Sequence, residues 1–283
     1  MVRPILKRLD LEGERKIQNA IGELGMRVMS NKVDFSNVKF ENFSASWARP
    51  ESPIDDYIIL YLHGGSYTSG DLEYAQAFGG VLADLTGANT LCVGYRLAPE
   101  YPYPAAIEDI LVSYKYLLKR FNHNRIALVG ESAGGGLCFS FALRLKEEGM
   151  PLPGCIVSMS PWSDLRCVNK SYEEKRDVDP CLFEESLRES AKMYSSGDYE
   201  NPMISPILGD LTGLPPTFII VGTDEILLDD SLQMGIKLKE SGVDTEMLVA
   251  KEMWHVYCIY GMPEAMEAQE KIKDFIDRKI KQD

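Results

Sequence analysis

A serine flanked by glycines stands at position 132 of the sequence, in the run Gly130-Glu131-Ser132-Ala133-Gly134, which fits the pattern G-x-S-x-G. The run follows an apolar segment with strand character and precedes a segment with helical character. Such a turn holds a serine hydroxyl exposed, at a helix N-terminus that stabilises developing negative charge. Glycines are needed on either side because a side chain there would clash. The pattern predicts that Ser132 is a nucleophile, against the alternative of a glycine-rich turn without chemistry.

A serine hydroxyl is a poor nucleophile until a base removes its proton, and the chain has only three histidines. His63 lies in a His-Gly-Gly run after a predicted strand, and His123 lies in a polar turn. In serine sites of this kind the acid follows the serine along the chain and the histidine comes last. Only His255 comes after Ser132, so we expect His255 to be the base. The alternative is a buried structural histidine beside Trp254.

The acid that orients this histidine is expected after the strand that precedes it. The apolar run from Thr217 to Val221 leads into Asp224-Glu225. Either carboxylate satisfies the requirement for a fixed negative acceptor, so the residues alone leave both open.

Backbone N–H groups are also required to stabilise the oxyanion of a tetrahedral intermediate. Gly64 and Gly65 follow a predicted strand, where glycine lets the backbone turn its N–H groups towards a substrate. Ala133, the residue after the nucleophile, supplies a third N–H. These three are the predicted oxyanion donors, against the alternative that His-Gly-Gly is only a tight turn. His63 is then expected to organise this loop.

The elements that must position these residues follow a regular rhythm of apolar runs and helical periodicities. Strands alternate with helices from residue 57 onward, which predicts βαβ units and a mostly parallel sheet covered by helices on both faces. In such sheets a ligand binds beyond the carboxyl ends of the strands. The predicted strands are 57–62, 90–93, 125–129, 155–159, 217–221 and 245–250, preceded by one or two strands within 33–47.

We expect a single domain over residues 1–283, with a cap over the site built from about 1–30 and about 160–205. The second segment interrupts the rhythm with Asp, Glu, Pro and Ser, and it follows the carboxyl end of a predicted strand. In the first segment, apolar residues at helical spacing predict a helix with one buried stripe. These residues are Ile17, Ile21, Leu24 and Val28.

Composition excludes several classes of function. The formal net charge of −13 argues against binding to nucleic acid or to an anionic membrane surface. No run approaches the roughly 18 apolar residues that a membrane-spanning helix needs, and the first ten residues do not resemble a signal peptide. The six cysteines form no C-x-x-C pair, so we expect reduced thiols in a cytoplasmic protein and no metal site.

Several motifs resemble those of the hormone-sensitive-lipase branch of the α/β-hydrolases, which includes bacterial acetyl esterase-like proteins with a His-Gly-Gly motif. The matching runs are His63-Gly64-Gly65-Ser66, Tyr95-Arg96-Leu97-Ala98-Pro99-Glu100, Gly130-Glu131-Ser132-Ala133-Gly134-Gly135 and Ser160-Pro161-Trp162-Ser163-Asp164-Leu165. The sequence departs from the family pattern at several positions. Ser66 replaces a glycine, Gly94 replaces an aspartate and Glu131 replaces the commoner aspartate. At the acid, Glu225-Ile226 stands where the family has Asp-Pro.

The resemblance implies an α/β-hydrolase fold with a helical cap, hydrolysis of small short-acyl carboxylic esters, and no cofactor. Aligning Leu227 to Ser231 with the family places Glu225 at the acid, with Asp224 as the alternative. Amide or lactone hydrolysis at the same site stays open, as does a non-catalytic small-molecule receptor on this fold. The expected partner is a small ester, and a homodimer stays open.

Overall fold

A computed structural model of the chain describes residues 10–280. The strands are β1 (Val33–Lys39), β2 (Ser44–Pro50), β3 (Ile54–Leu62), β4 (Ala88–Gly94), β5 (Ile126–Glu131), β6 (Cys155–Met159), β7 (Thr217–Gly222) and β8 (Thr245–Ala250). The α-helices are α1 (Leu11–Met29), α2 (Leu72–Thr86), α3 (Ala105–Leu118), α4 (Ala133–Glu147), α5 (Ser171–Glu174), α6 (Glu184–Ser195), α7 (Leu228–Glu240) and α8 (Pro263–Ile280).

The strands form one sheet in the order β1-β2-β4-β3-β5-β6-β7-β8. The pairs from β4 to β8 are parallel, whereas β2 runs antiparallel to both β1 and β4. The predicted mostly parallel sheet is therefore confirmed. The one or two strands expected within 33–47 are two, and the second of them ends at Pro50. They extend the sheet antiparallel at one edge.

Both faces of the sheet are covered, which explains why its central strands are apolar along their whole length. In β3, Ile58, Leu60 and Leu62 face a core shared with α3, α4 and α7. The alternate residues Ile59 and Tyr61 face a second core shared with α2 and α8. Side chains of successive strand residues point to opposite faces, so one strand contributes to both cores.

Helix α1 forms as predicted, but the prediction that its apolar stripe is buried is wrong. The four side chains of the stripe are between 37% and 67% exposed. The helix instead approaches α2 through small residues, because Gly22 lies against the backbone of Tyr74 and a Cβ at Gly22 would overlap it. Close packing of two helix backbones needs such small side chains, so periodicity identified the helix and not its buried face.

The parallel strands bring the predicted site residues to one edge of the sheet. His63 follows β3, Ser132 follows β5, Glu225 lies just after β7 and His255 lies after β8. Because these strands run in the same direction, their carboxyl ends meet at this edge. Within residues 10–280, no helix is both long and apolar enough to cross a membrane.

The turn around Ser132 makes a testable prediction about packing. A Cβ at Gly134 would overlap the carbonyl oxygens of Leu62 and His63, whereas a Cβ at Gly261 would meet no atom within 4 Å. We expect Gly134→Ala to lower the free energy of unfolding by about 3 kcal/mol, since overpacking against rigid backbone is costly. We expect Gly261→Ala to change it by about 0.5 kcal/mol or less. Urea denaturation checks both values, and equal midpoints for the two variants would contradict the packing described.

Candidate active site

Ser132 sits on a strained turn between β5 and α4. Its backbone has φ 56° and ψ −122°, a conformation that residues other than glycine rarely adopt. The Ser132 N–H donates to the carbonyl of Met159 at 2.8 Å, and the Trp162 N–H donates to the Ser132 carbonyl at 3.0 Å. The side chain is not as exposed as expected, because only 6% of the residue is accessible. The strained turn holds Ser132 at the wall of a covered cavity.

Three side chains from three different loops form a continuous chain of hydrogen bonds. The Ser132 hydroxyl donates to His255 Nε2 at 2.9 Å. The other ring nitrogen, Nδ1, donates to Glu225 Oε2 at 2.7 Å. The serine and the histidine are 123 positions apart in the sequence. The structure therefore brings together the predicted serine, base and acid.

Glu225 contacts His255, whereas the alternative acid Asp224 does not. The second oxygen of Glu225, Oε1, accepts hydrogen bonds from the Gly222 N–H at 2.7 Å and the Ser160 hydroxyl at 2.8 Å. The Asp224 carboxylate instead accepts a bond from its neighbour Thr223 at 3.2 Å. A backbone N–H and a buried serine hydroxyl thus hold the Glu225 carboxylate in place beside the imidazole.

Ser160 and Asp179 support the acid, and the sequence analysis assigned a role to neither. Besides its bond to Glu225, Ser160 Oγ accepts the N–H of Val256, the residue after His255, at 3.1 Å. Asp179 accepts the N–H of Ile226 at 2.8 Å. The sequence signal for Ser160 was its place directly after β6, while Asp179 lies in the irregular insert and carried no signal.

The electrostatic environment favours the charged form of His255. Burial by itself would lower the pKa of His255, but the hydrogen bond and charge of Glu225 raise it. The negative charges of Asp179 and Glu131 act in the same direction. The net pKa of His255 is therefore raised above the usual value of about 6.5. A base with a raised pKa accepts a proton from serine more readily. As the pH falls, however, such a base becomes protonated, and therefore inactive, at a higher pH than an ordinary histidine.

His63 is buried away from Ser132 and fits the expected role of loop organiser. Its Nδ1 lies 2.6 Å from the carbonyl oxygen of Gly64, so this nitrogen donates a hydrogen bond to the loop. The ring stacks on Tyr95 with a centroid distance of 4.2 Å, and the Tyr95 hydroxyl donates to the His63 carbonyl. Burial lowers the pKa of His63 to about 4, so the ring is neutral at pH 7.

The structure of the loop after β3 contradicts the prediction that Gly64 is an oxyanion donor. The Gly64 N–H already donates to Glu131 Oε1 at 2.6 Å, so it is not free to bind an oxyanion. Gly65 and Ser66 have positive φ angles of 108° and 54° and line the cavity beside Ser132. The Gly64 N–H is therefore taken, whereas the next two residues of the loop, Gly65 and Ser66, are the ones that line the cavity. Ala133 is the first residue of α4, so its N–H has no intrahelical acceptor.

A cavity of about 220 Å³ opens onto Ser132 and His255. The aromatic residues Tyr67, Trp162 and Tyr194 are buried and do not line it. The helix α1 and the segment before and within α6 supply much of its wall. The residues from these two regions are Glu14, Ile17, Gln18, Ile21, Cys181, Leu182, Phe183, Ser186, Leu187 and Ser190.

Most residues that line the cavity have apolar or uncharged polar side chains. Between residues 10 and 280, no group of three or more His, Cys, Asp or Glu side chains is arranged to hold a metal ion. All six cysteines are free, and five of them are buried. The chemistry that this geometry supports is proton transfer and nucleophilic attack by side chains.

Comparison with known proteins identifies relatives over most of the chain. A family model described as alpha/beta hydrolase fold matches residues 59–259. An acetyl-hydrolase of Streptomyces hygroscopicus is 37% identical over 265 residues, covering 92% of this chain and 86% of the relative. The crystal structure of an esterase from the bacterial hormone-sensitive lipase family has 32% identity and a TM-score of 0.88, covering 96% of this chain and 93% of that one. A crystal structure of EstE5 soaked with p-nitrophenyl butyrate has 30% identity and a TM-score of 0.90, covering 99% and 97%.

The two adjacent carboxylates after β7 can be distinguished by experiment. We expect Glu225→Gln to lower the pKa of His255 by about one unit or more, because the substitution removes a charge in hydrogen-bond contact with the ring. We expect Asp224→Asn to leave it within a few tenths of a unit, since Asp224 makes no contact with the ring. NMR titration of the imidazole measures both. A larger shift in the Asp224 variant would reverse the assignment.

Proposed function

The chain belongs to the alpha/beta-hydrolase family and is a carboxylic ester hydrolase, and we propose that Ser132, His255 and Glu225 hydrolyse the ester through an acyl-enzyme. One observation carries this proposal: the hydrogen bonds from Ser132 to His255 and from His255 to Glu225, at 2.9 Å and 2.7 Å. They connect a nucleophile to a base and the base to an acid, as acyl transfer by serine requires. The hydrolases among the relatives favour this function over the receptor alternative.

In the first half of the reaction, His255 takes the proton of Ser132 as the hydroxyl attacks the ester carbonyl. The imidazole then carries a positive charge, which the Glu225 carboxylate stabilises across a hydrogen bond. His255 next gives its proton to the leaving alcohol, and Ser132 holds the acyl group as an ester. In the second half, His255 takes a proton from water as the water attacks the acyl-enzyme. His255 then returns that proton to Ser132 Oγ as the bond between Oγ and the acyl carbon breaks and the carboxylic acid leaves.

The tetrahedral intermediates place a negative charge on the former carbonyl oxygen. We assign its stabilisation to the N–H groups of Gly65, Ser66 and Ala133. Ala133 opens α4, so the helix N-terminus adds a favourable electrostatic field. Backbone donors fixed before the reaction stabilise this charge without reorganising, which makes such donors effective.

The dimensions of the cavity support a small substrate. Its volume of about 220 Å³ lies below the roughly 300–1,000 Å³ of pockets for drug-sized ligands. Apolar side chains such as Leu182, Phe183 and Ile259 line it and suit an acyl chain. We propose that α1 and the region around α6 act as the cap predicted over about 1–30 and about 160–205. Residues 1–9 of the first segment lie outside the described residues.

The role of Ser132 is tested by substitution and by labelling. We expect Ser132→Ala to lower kcat for p-nitrophenyl acetate by about a thousandfold or more, since the acyl-enzyme can no longer form. A fluorophosphonate probe should label the wild type on the peptide containing Ser132 and leave the variant unlabelled, as peptide mass spectrometry will show. Near-normal turnover by a folded Ser132→Ala variant would refute the proposed mechanism.

The acyl preference is tested with a series of p-nitrophenyl esters of increasing chain length. We expect kcat/KM to be highest for acyl groups of about two to six carbons, because longer chains exceed the volume of the cavity. Phe183→Ala removes an aromatic side chain from the wall and so enlarges the cavity. This variant should prefer longer acyl chains than the wild type. A wild-type preference for acyl groups of more than about ten carbons is incompatible with this cavity.

A further inference from the structure

Glu131, the residue before the proposed nucleophile, is a buried carboxylate that the mechanism above does not use. The residue is 1% exposed. Its Oε1 atom accepts hydrogen bonds from the Gly64 N–H at 2.6 Å and from the Tyr61 hydroxyl at 3.1 Å. The Tyr74 hydroxyl is a further donor. Burying a carboxylate raises its pKa, and the hydrogen bonds from Gly64, Tyr61 and Tyr74 oppose that rise for Glu131, which lies close to Ser132.

The side chain of Glu131 lies between the turn that carries the nucleophile and the loop that carries the oxyanion donors. A Cβ built on Gly64 would meet both Glu131 Oε2 and the Cβ of Ser132. Gly64 immediately precedes Gly65 and Ser66, the two donors assigned above. The position of the Gly64 amide therefore determines where those two N–H groups point relative to Ser132 Oγ.

We propose that Glu131 is a positioning residue that holds the oxyanion loop over Ser132 through its hydrogen bond to the Gly64 amide, and that its negative charge supports the protonated form of His255. This inference rests on the proposed function. A charged acceptor makes a shorter and stronger bond than a neutral one, so the carboxylate fixes the loop more firmly than an amide would. Donors displaced by even a fraction of an ångström lose part of their stabilisation of the oxyanion.

The charge of Glu131 acts on His255 together with two other carboxylates. Glu225 contacts the ring directly, and Asp179 and Glu131 add their charges from the insert and from β5. All three favour imidazolium, the form that exists in the transition state. Removing one negative charge therefore lowers the pKa of His255, whereas simple loosening of the fold does not require such a shift.

Helix α1 also contacts the loop after β3, and one of its residues offers a control for the loss of charge at Glu131. From α1, Arg15 Nε donates to the Thr68 carbonyl at 2.8 Å, and Gln18 Oε1 accepts the Ser69 hydroxyl at 2.6 Å. These contacts also restrain the loop, but Gln18 carries no charge. Gln18→Ala should therefore loosen the loop without changing the electrostatic environment of His255.

Two substitutions at position 131 separate the two effects. We expect Glu131→Gln to lower kcat for p-nitrophenyl acetate about tenfold or more with KM within about twofold, because the donors act on the transition state. The acid limb of the pH profile is the range in which kcat/KM falls as His255 becomes protonated. This limb should move to lower pH by about half a unit or more as the charge is lost. Glu131→Asp keeps the charge but shortens the side chain by one methylene. It should lower kcat and leave the acid limb in place.

Two controls complete the experiment. Tyr61→Phe removes a different hydrogen bond to the same oxygen and should leave kcat within about twofold, since the Gly64 contact and the charge remain. Gln18→Ala should lower kcat without moving the acid limb. Urea midpoints of all variants confirm that folded proteins are compared, and Glu131→Asp provides the test of positioning if Glu131→Gln does not fold.

The outcomes distinguish this inference from the proposed function. If the wild type is labelled at Ser132 and active, but the folded position-131 variants keep wild-type kcat or Glu131→Gln leaves the acid limb unmoved, the inference about Glu131 is overturned and the function stands. If the wild type neither hydrolyses p-nitrophenyl acetate nor reacts with the fluorophosphonate, the proposed function itself fails.

Discussion

The hydrogen bond between Ser132 and His255 is the interaction on which the other features of the site depend. It joins a serine on the turn after β5 to a histidine on the loop after β8, at 2.9 Å and with both residues almost fully buried. A buried imidazole favours its neutral form, which opposes the positive charge that proton transfer creates. The carboxylate of Glu225 offsets that cost, and its own burial is compensated by the Gly222 N–H and the Ser160 hydroxyl.

Negative charge at the site is concentrated around one imidazole. Glu225, Asp179 and Glu131 are all buried, and all raise the pKa of His255. Each accepts hydrogen bonds from backbone N–H groups, which hold a carboxylate without introducing a competing positive charge. In the proposed mechanism this arrangement makes His255 a stronger base and restricts the active form to pH values above its raised pKa.

Several segments far apart in the sequence converge on the same cavity. The loop after β3 contributes Gly65 and Ser66, α1 contributes Gln18, and the region before α6 contributes Phe183. Two contacts hold the loop after β3: the Gly64 N–H donates to Glu131, and the Ser69 hydroxyl donates to Gln18 of α1. In the proposed mechanism, substrate access and oxyanion geometry are linked through this loop, because the proposed cap helix α1 also contacts the segment that carries the proposed donors.

The sequence by itself determined the parallel sheet and the order of its elements, and it singled out the serine and histidine that the structure places in contact, because apolar periodicity and a small number of histidines leave few alternatives. The family resemblance favoured Glu225 over Asp224, but only the tertiary structure showed that Glu225 is the carboxylate in contact with His255, since adjacent residues differ in where the backbone directs their side chains. It also showed that the Gly64 amide is taken by Glu131, and that α1 packs through Gly22 rather than its apolar stripe. These features depend on contacts between residues distant in the sequence, which local patterns of residue type do not encode.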